Sequence, residues 1–510
     1  MSTMGTATTR VLGLTLIVAT VLLVSKTGSI LVSVGIVSFA LIALWLLQSA
    51  PSSWSLALLF AAMAVDDPQS LPNEGRWKSP FNEPGRLLFE NLRHITGIES
   101  QRFSLFELLV ATLAVTLLLR RSFAPQSHES RLRKDTRVLR TFLAVASATV
   151  VWLCVYGQLR GGDFRQSMWQ GRQLFWLPIL GFVFLETLTT EEARRRLLWV
   201  VVLAATLRAS LGLYYYFIIC RPDGYLPHYA TSHSDTLLFG AATIIAIARL
   251  LEQNSRRSWV LAAVIIPLML AAMAANNRRL AYVALAACVA SSFPLWRPAV
   301  RRFLWIASAI ATPVLALYLA LGWSSGSRFF RPAYSIRTMI SSEDTSTETR
   351  EIENYNLTTT ALARPILGQG LGHPYDERVV AYSIEANFEQ YRFIAHNSVL
   401  WLLSVGGLIG FLGIWIIVPL TSLYAWRAYR RARSGSDRVS AVFSHSIVVL
   451  YLAQAYGDIG MQSWLPTLVL GAALGMVGNL MASLEARAED ATRRRSSAEF
   501  GAAHLAEVVS

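Results

Sequence analysis

The sequence has 510 residues, of which 54% are hydrophobic and only 15% charged, with a mean hydropathy of +0.42. Soluble domains carry about 25% charged residues, so the composition excludes an ordinary water-soluble enzyme. The net charge of +14 comes almost wholly from arginine, because Lys26, Lys78 and Lys134 are the only lysines; its gathering between apolar runs points to membrane topology and anionic lipid, not nucleic acid.

In chain order, runs of bilayer-crossing length are expected at 11–24, 30–48, 52–65, 104–120, 141–158, 172–189, 197–219, 234–251, 259–275, 280–293, 303–322, 396–420, 441–457 and 464–484. Val11–Val24 follows a single Arg10 without a small-residue cleavage site, and reads as a first span rather than a signal peptide. The fold class is therefore all-α: a polytopic integral membrane protein of about 12–14 transmembrane helices with one large helical loop. Its parts are a transmembrane bundle (1–322), the loop (323–395), further transmembrane helices (396–484) and an Ala- and Arg-rich tail (485–510) expected to be disordered.

Arginine clusters at Arg120–Arg140, Arg194–Arg196, Arg256–Arg257, Arg297–Arg302, Arg427–Arg438 and Arg493–Arg495 all fall on one face in this scheme. The positive-inside rule makes that face cytoplasmic, with both termini. Loops 66–103, 159–171, 220–233, 276–279 and 323–395 then lie outside. Within the largest, Thr345–Glu348 has capping-box spacing, and Ile352, Tyr355, Thr359 and Leu362 recur at helical intervals. Arg364-Pro365 ends that helix. A flexible Gly368-Gln-Gly370-Leu-Gly372 turn follows. A second amphipathic helix is expected from Glu377 to Ile394, with Glu385 and Glu389 on its solvated face.

Several arginines break the charge rule. Arg278 and Arg279 sit in a tight turn between two spans, Arg160, Arg165 and Arg172 crowd the outer loop 159–173, and Arg392 borders a span on the same side. Short outer loops avoid arginine because it opposes insertion. A group of them suggests a site for a multiply charged anion, since guanidinium forks match phosphate oxygens. A lipid diphosphate is the natural candidate. At the junction of loop and span stands His396-Asn397; a histidine near its ordinary pKa is largely neutral at physiological pH and able to accept a proton. His228, His233, His373 and His445 read as interfacial hydrogen-bonding groups, and Cys154, Cys220 and Cys288 as packing residues. The outer loops hold no HExxH, His/Cys ligand set or DxD pair, so no metal and no cofactor is expected.

Three segments resemble the O-antigen ligase and polymerase family, membrane enzymes that handle undecaprenyl-diphosphate-linked glycans. Asn276–Val283 is similar to its arginine turn, Arg364–Gly372 to its Pro-hydrophobic-hydrophobic-Gly-x-Gly loop, and Ala395–Gly410 to its His-Asn-x-x-Leu…Gly-x-x-Gly junction. The family turn has Ser-Arg before a small residue, whereas Arg278-Arg279 here precedes Leu280; alignment gives the family role to Arg279. The resemblance implies glycosyl transfer at the periplasmic face of a bacterial inner membrane. Arg278 and Arg279, helped by Arg160, Arg165 or Arg172, would hold the donor diphosphate, and His396 would act as general base on an acceptor hydroxyl of a glycan or lipid A-core. Gly368, Gly370, Gly372 and Arg392 would line the acceptor. Asn397 would orient His396 or a sugar hydroxyl, or cap the next helix. Protein O-oligosaccharyl transfer, a polysaccharide flippase and a non-enzymatic sensor are the alternatives.

Overall fold

The computed structural model describes residues 50–65, 77, 79–97, 102–123, 134–225, 227, 229–325, 327, 330, 333, 337, 345–380 and 390–509. The spans expected at 11–24 and 30–48, together with His228, Glu385 and Glu389, lie outside these residues. Among the described residues every regular element is a helix. That is what a bilayer imposes, since backbone polar groups there must find partners within the protein.

The chain divides into two units, Met1–Leu71 with Lys78–Leu132, and Pro72–Trp77 with Arg133–Ser510. The first contains α1 (Pro51–Ala64), α2 (Asn82–Phe89), α3 (Leu92–Thr96) and α4 (Leu105–Phe123). A reciprocal cap opens α4: Ser104 N–H donates to Glu107 Oε2 at 2.8 Å, and Glu107 N–H donates to Ser104 Oγ at 3.3 Å.

The second unit contains α5 (Lys134–Leu159), α6 (Phe164–Thr187), α7 (Glu191–Tyr214) running into a π turn (Tyr215–Cys220), α8 (Asp235–Gln253), α9 (Arg256–Ala275), α10 (Arg279–Ser292) and α11 (Pro298–Gly322). Then come α12 (Thr345–Ala363), α13 (Ser398–Trp415), α14 (Ile417–Arg431), α15 (Gly435–Gly457), a 3₁₀ turn (Gly460–Gln462) and α16 (Trp464–Val509). Seven segments of the described residues are long and apolar enough to cross a membrane, and α1 and α10 are shorter apolar helices. The protein is an all-α polytopic membrane protein.

Three expectations change. α6 starts at Phe164, so Arg165 and Arg172 lie on a helix and not in a loop; the Asp163 carboxylate caps it, accepting from Gln166 N–H at 2.7 Å. The tail read as disordered from 485 is helical to Val509, in keeping with the helix propensity of Ala, Glu and Arg. Residues 377–380 and 390–394 are not helical, so the second loop helix is absent at both its ends, and 381–389 lie outside the described residues.

The core of the second unit is α16 laid along α6, with α14 and α15 alongside. Val469, Leu470, Leu474, Met476 and Val477 are fully buried there. Gly475 allows the crossing, since a Cβ at that position would stand 2.4 Å from Phe184 Cβ. α15 also packs on α8 and α10. His445, read from sequence as interfacial, instead lies within α15, 2.6 Å from Ser422 Oγ of α14 and 3.2 Å from Ser291 Oγ of α10. Polar contacts of this kind hold helices together where lipid offers no hydrophobic contrast. At one end of the unit Glu252, fully buried, meets Arg297 at 2.9 Å and Arg438 at 3.3 Å. The site lies at the other end of α15.

Candidate functional site

Two of the sequence motifs prove to be halves of one backbone joint. α13 is broken at Gly407, whose φ of 55° and ψ of −161° are not helical. The segment 365–370 docks into the break: Gln369 N–H donates to Ser404 O (3.0 Å), Gly370 N–H to Val405 O (2.8 Å), Leu408 N–H to Pro365 O (2.8 Å) and Ile409 N–H to Ile366 O (3.1 Å). The freed polar groups of the kink are thereby paired. Leu371 N–H donates to Leu153 O of α5 at 3.1 Å, and Gly372 N–H to the Gln170 side chain of α6 at 2.6 Å. Gln170 also donates to Phe393 O at 2.6 Å, tying the chain just before His396 to the same helix.

Gly368, Gly370 and Gly372 are buried, with φ of 67°, 85° and 93°. Their bare faces lie against protein backbone: Val405, Gly157 and Asp163 respectively. At Gly370 a Cβ would stand 2.4 Å from Gly157 Cα, whereas at Gly161 (φ 83°) nothing lies within 4 Å. Gly370→Ala should therefore cost the backbone strain plus a clash, upwards of about 3 kcal/mol, and Gly161→Ala the strain alone, about 1 kcal/mol. Thermal melts of the two purified variants check this; equal melting temperatures would refute the joint.

α12 ends at Ala363, directly before the joint, so the joint sets its register against α13. On α12 the buried face is Asn356, Leu357 and Thr360, while Tyr355 and Leu362 are exposed. The sequence placed the apolar face differently because side-chain hydrogen bonds decide it. Asn356 Oδ1 accepts from Arg378 N–H (2.9 Å) and Val379 N–H (3.0 Å), and Thr360 Oγ1 from Asp376 N–H (2.9 Å).

This register brings Glu353 to His396. Glu353 Oε2 accepts the His396 backbone N–H at 3.1 Å, and its two oxygens lie 3.3 and 3.4 Å from His396 Nδ1. The imidazole is 42% exposed and the carboxylate 11%, so the ring is reachable and its partner shielded. A carboxylate only accepts, so Nδ1 donates to Glu353, and in the neutral tautomer this selects, Nε2 carries the free lone pair. Asn397 is buried and caps α13, accepting from Leu400 N–H at 3.2 Å while donating to Asn354 Oδ1 at 3.1 Å.

The arginine turn is built equally tightly. Asn276 is fully buried; its side chain accepts from Thr231 N–H at 3.0 Å and donates to Ser232 O at 3.1 Å. Asn277 takes the left-handed conformation, with φ of 50°, which asparagine tolerates. Arg278 then donates to Asp458 Oδ2 at 2.5 Å and lies over the Tyr229 ring at 5.3 Å. His233 Nδ1 stands 3.7 Å from the same carboxylate oxygen. Burial alone would raise the Asp458 carboxyl, but His233 and Arg278 outweigh it and hold it at about 2. Burial holds the Arg278 guanidinium below its usual value despite Asp458, and Arg350 of α12 adds to the lowering.

These two clusters meet. Ser398, two residues past His396, donates to Asp458 O at 3.4 Å. Arg350, within electrostatic reach of Arg278, sits one turn before Glu353. Arg279 opens α10 beside Arg278 and is half-buried.

Of the remaining arginines, Arg160, Arg172 and Arg392 make contacts of their own among the described residues. Arg160 is exposed; it donates to Gly368 O at 3.4 Å and lies 5.7 Å from the Tyr156 ring. Arg165 is exposed on α6, and Arg172 lies over Trp464 at 5.7 Å. Arg392 donates to Tyr375 O at 3.4 Å, while its Nε and both amide atoms of Gln462 are buried without a hydrogen bond among the described residues. Glu353, Asp458, His233 and Arg350 were not foreseen. The one available signal for Glu353 was its place on a helix already expected.

Residues 241–415 match the family model described as O-antigen ligase. This segment is similar to the O-antigen ligase/polymerase family. No curated protein matches the chain. The matched residues span the Arg278–Arg279 turn, Glu353, the glycine joint and His396. His233 and Asp458 lie outside the matched residues.

Proposed function

We propose that the protein moves a glycan from an undecaprenyl-diphosphate donor to an acceptor hydroxyl at the periplasmic face of a bacterial inner membrane, with inversion at the anomeric carbon. The observation that carries this reading is the His396–Glu353 pair standing beside a buried arginine turn. His396 Nε2 takes the proton of the acceptor hydroxyl, whose oxygen attacks the anomeric carbon. The anomeric C–O bond breaks and its electron pair leaves with the diphosphate. Arg279 and Arg278 stabilise the charge that gathers on those oxygens, and Arg350 adds to the positive field at Arg278. Undecaprenyl diphosphate and a protonated His396 remain, and the proton passes to solvent through the exposed ring.

A lipid A-core acceptor makes the protein a ligase and a second lipid-linked repeat makes it a polymerase; a protein hydroxyl is the third possibility. Arg392 and Gln462, with polar atoms still to be bonded, are the acceptor-side candidates. The test is glycan profiling of a deletion strain complemented with wild type, His396→Ala or Arg279→Ala at matched membrane levels. Long-chain glycan should return only with wild type. Accumulated lipid-linked polymer then identifies a ligase, and accumulated single repeats a polymerase. Wild-type glycan from both variants refutes the site and leaves the flippase reading.

A further inference from the structure

His233 is the member of the cluster to which the transfer reading gives no task. Arg278 and Asp458 form a pair of net charge zero, with side chains only 11% and 10% exposed. His233 approaches that same carboxylate oxygen at 3.7 Å, longer than a good hydrogen bond, and is 40% exposed. Its ring meets Tyr229 edge-on at 4.2 Å, the aromatic ring over which Arg278 lies. A guanidinium and a protonatable imidazole thus share one carboxylate and one aromatic face. Among the described residues, two further charges of this region have partners. Asp235 is bound by Arg208 at 2.7 Å and 3.2 Å, and Arg350 faces Arg278.

We propose that His233 is the titratable third member of the donor-anion site. Protonated, it gives the Arg278–Asp458 pair a net positive charge and binds a phosphate oxygen of the donor. Neutral, it leaves the pair uncharged. The inference rests on the lipid diphosphate being the donor. A histidine that gains an anionic ligand binds its proton more tightly in the complex, so affinity is full below the histidine range and declines as pH rises through it.

The experiment is calorimetric binding of a sugar diester of farnesyl diphosphate, which lacks the terminal-phosphate ionisation at about pH 6, to the full-length protein in detergent, from about pH 5.5 to about pH 8.5, with wild type, His233→Gln and His233→Lys. Wild-type affinity should fall about tenfold across the range, the loss of roughly one charge contact. His233→Gln should bind weakly with a flat profile, and His233→Lys tightly with a flat profile. A wild-type pH profile in His233→Gln overturns the proposal and assigns the titration elsewhere, with His396 the first suspect. PH-independent binding by wild type overturns it while leaving the diphosphate reading intact. No binding by wild type at any pH overturns both.

Discussion

Glu353→Gln should leave the protein in the membrane at wild-type levels and slow glycan transfer by about 10²–10⁴-fold, with the loss in kcat and not in donor KM. The substitution keeps the side chain's shape and one acceptor oxygen, so the His396 backbone N–H, bonded at 3.1 Å, retains its partner. It removes the charge beside Nδ1, where both carboxylate oxygens lie within 3.4 Å. An amide can turn its NH₂ toward the ring, favouring the tautomer with the proton on Nε2, the nitrogen that must accept. It also gives up the stabilisation of the imidazolium that forms as the hydroxyl is deprotonated. Glu353→Asp restores the charge one methylene short and should recover part of the rate. Purified enzyme in liposomes with a lipid-linked donor supplies kcat and KM. A Gln variant with wild-type kcat would mean that His396 works without an orienting carboxylate, or is not the base.

The helices were legible because a bilayer demands one kind of segment, and a run such as Leu197–Ile219 has little else it can be. The turn at Arg278 and the junction at His396 were legible for the opposite reason: each places a polar group where the surrounding pattern forbids it. Their partners were hidden by distance along the chain. Glu353 lies 43 residues from His396 and Asp458 lies 180 from Arg278, and one carboxylate among 32 acidic residues carries no mark of such a pairing. The arginines of α6 misled because their helix begins earlier than its apolar stretch. Hydropathy reads the apolar part of a helix and not its polar first turns. The glycines were recognised as a place of close approach, but what the structure brings close is the backbone of α5 and α13.

Asp458→Ala should destabilise the protein by about 3–5 kcal/mol, because it strands a buried guanidinium without its counter-charge. Arg278 is only 11% exposed, and Asp458 also accepts from Gln454 at 2.9 Å and from its neighbour Ile459 N–H at 3.0 Å, so several groups lose a partner at once. With the Asp458 carboxyl at about 2, the pair's contribution is fully present above the ordinary aspartate value near 3.9 and is lost only as pH falls toward 2. The Arg278 part of the loss in Asp458→Ala should therefore be constant from about pH 5 to about pH 8, and any extra loss toward about pH 5 reports the His233 contact with the same carboxylate. Removing both charges is a different matter. Arg278→Met with Asp458→Leu replaces the ion pair by apolar bulk and should return much of the lost stability, since the two changes are not additive. Glycan transfer should not return with it. Thermal melts in detergent and glycan profiles of the single and double variants separate the roles. A double variant that melts like wild type and still builds long-chain glycan would reduce Arg278 to a structural strut and leave donor binding to Arg279, Arg350 and His233.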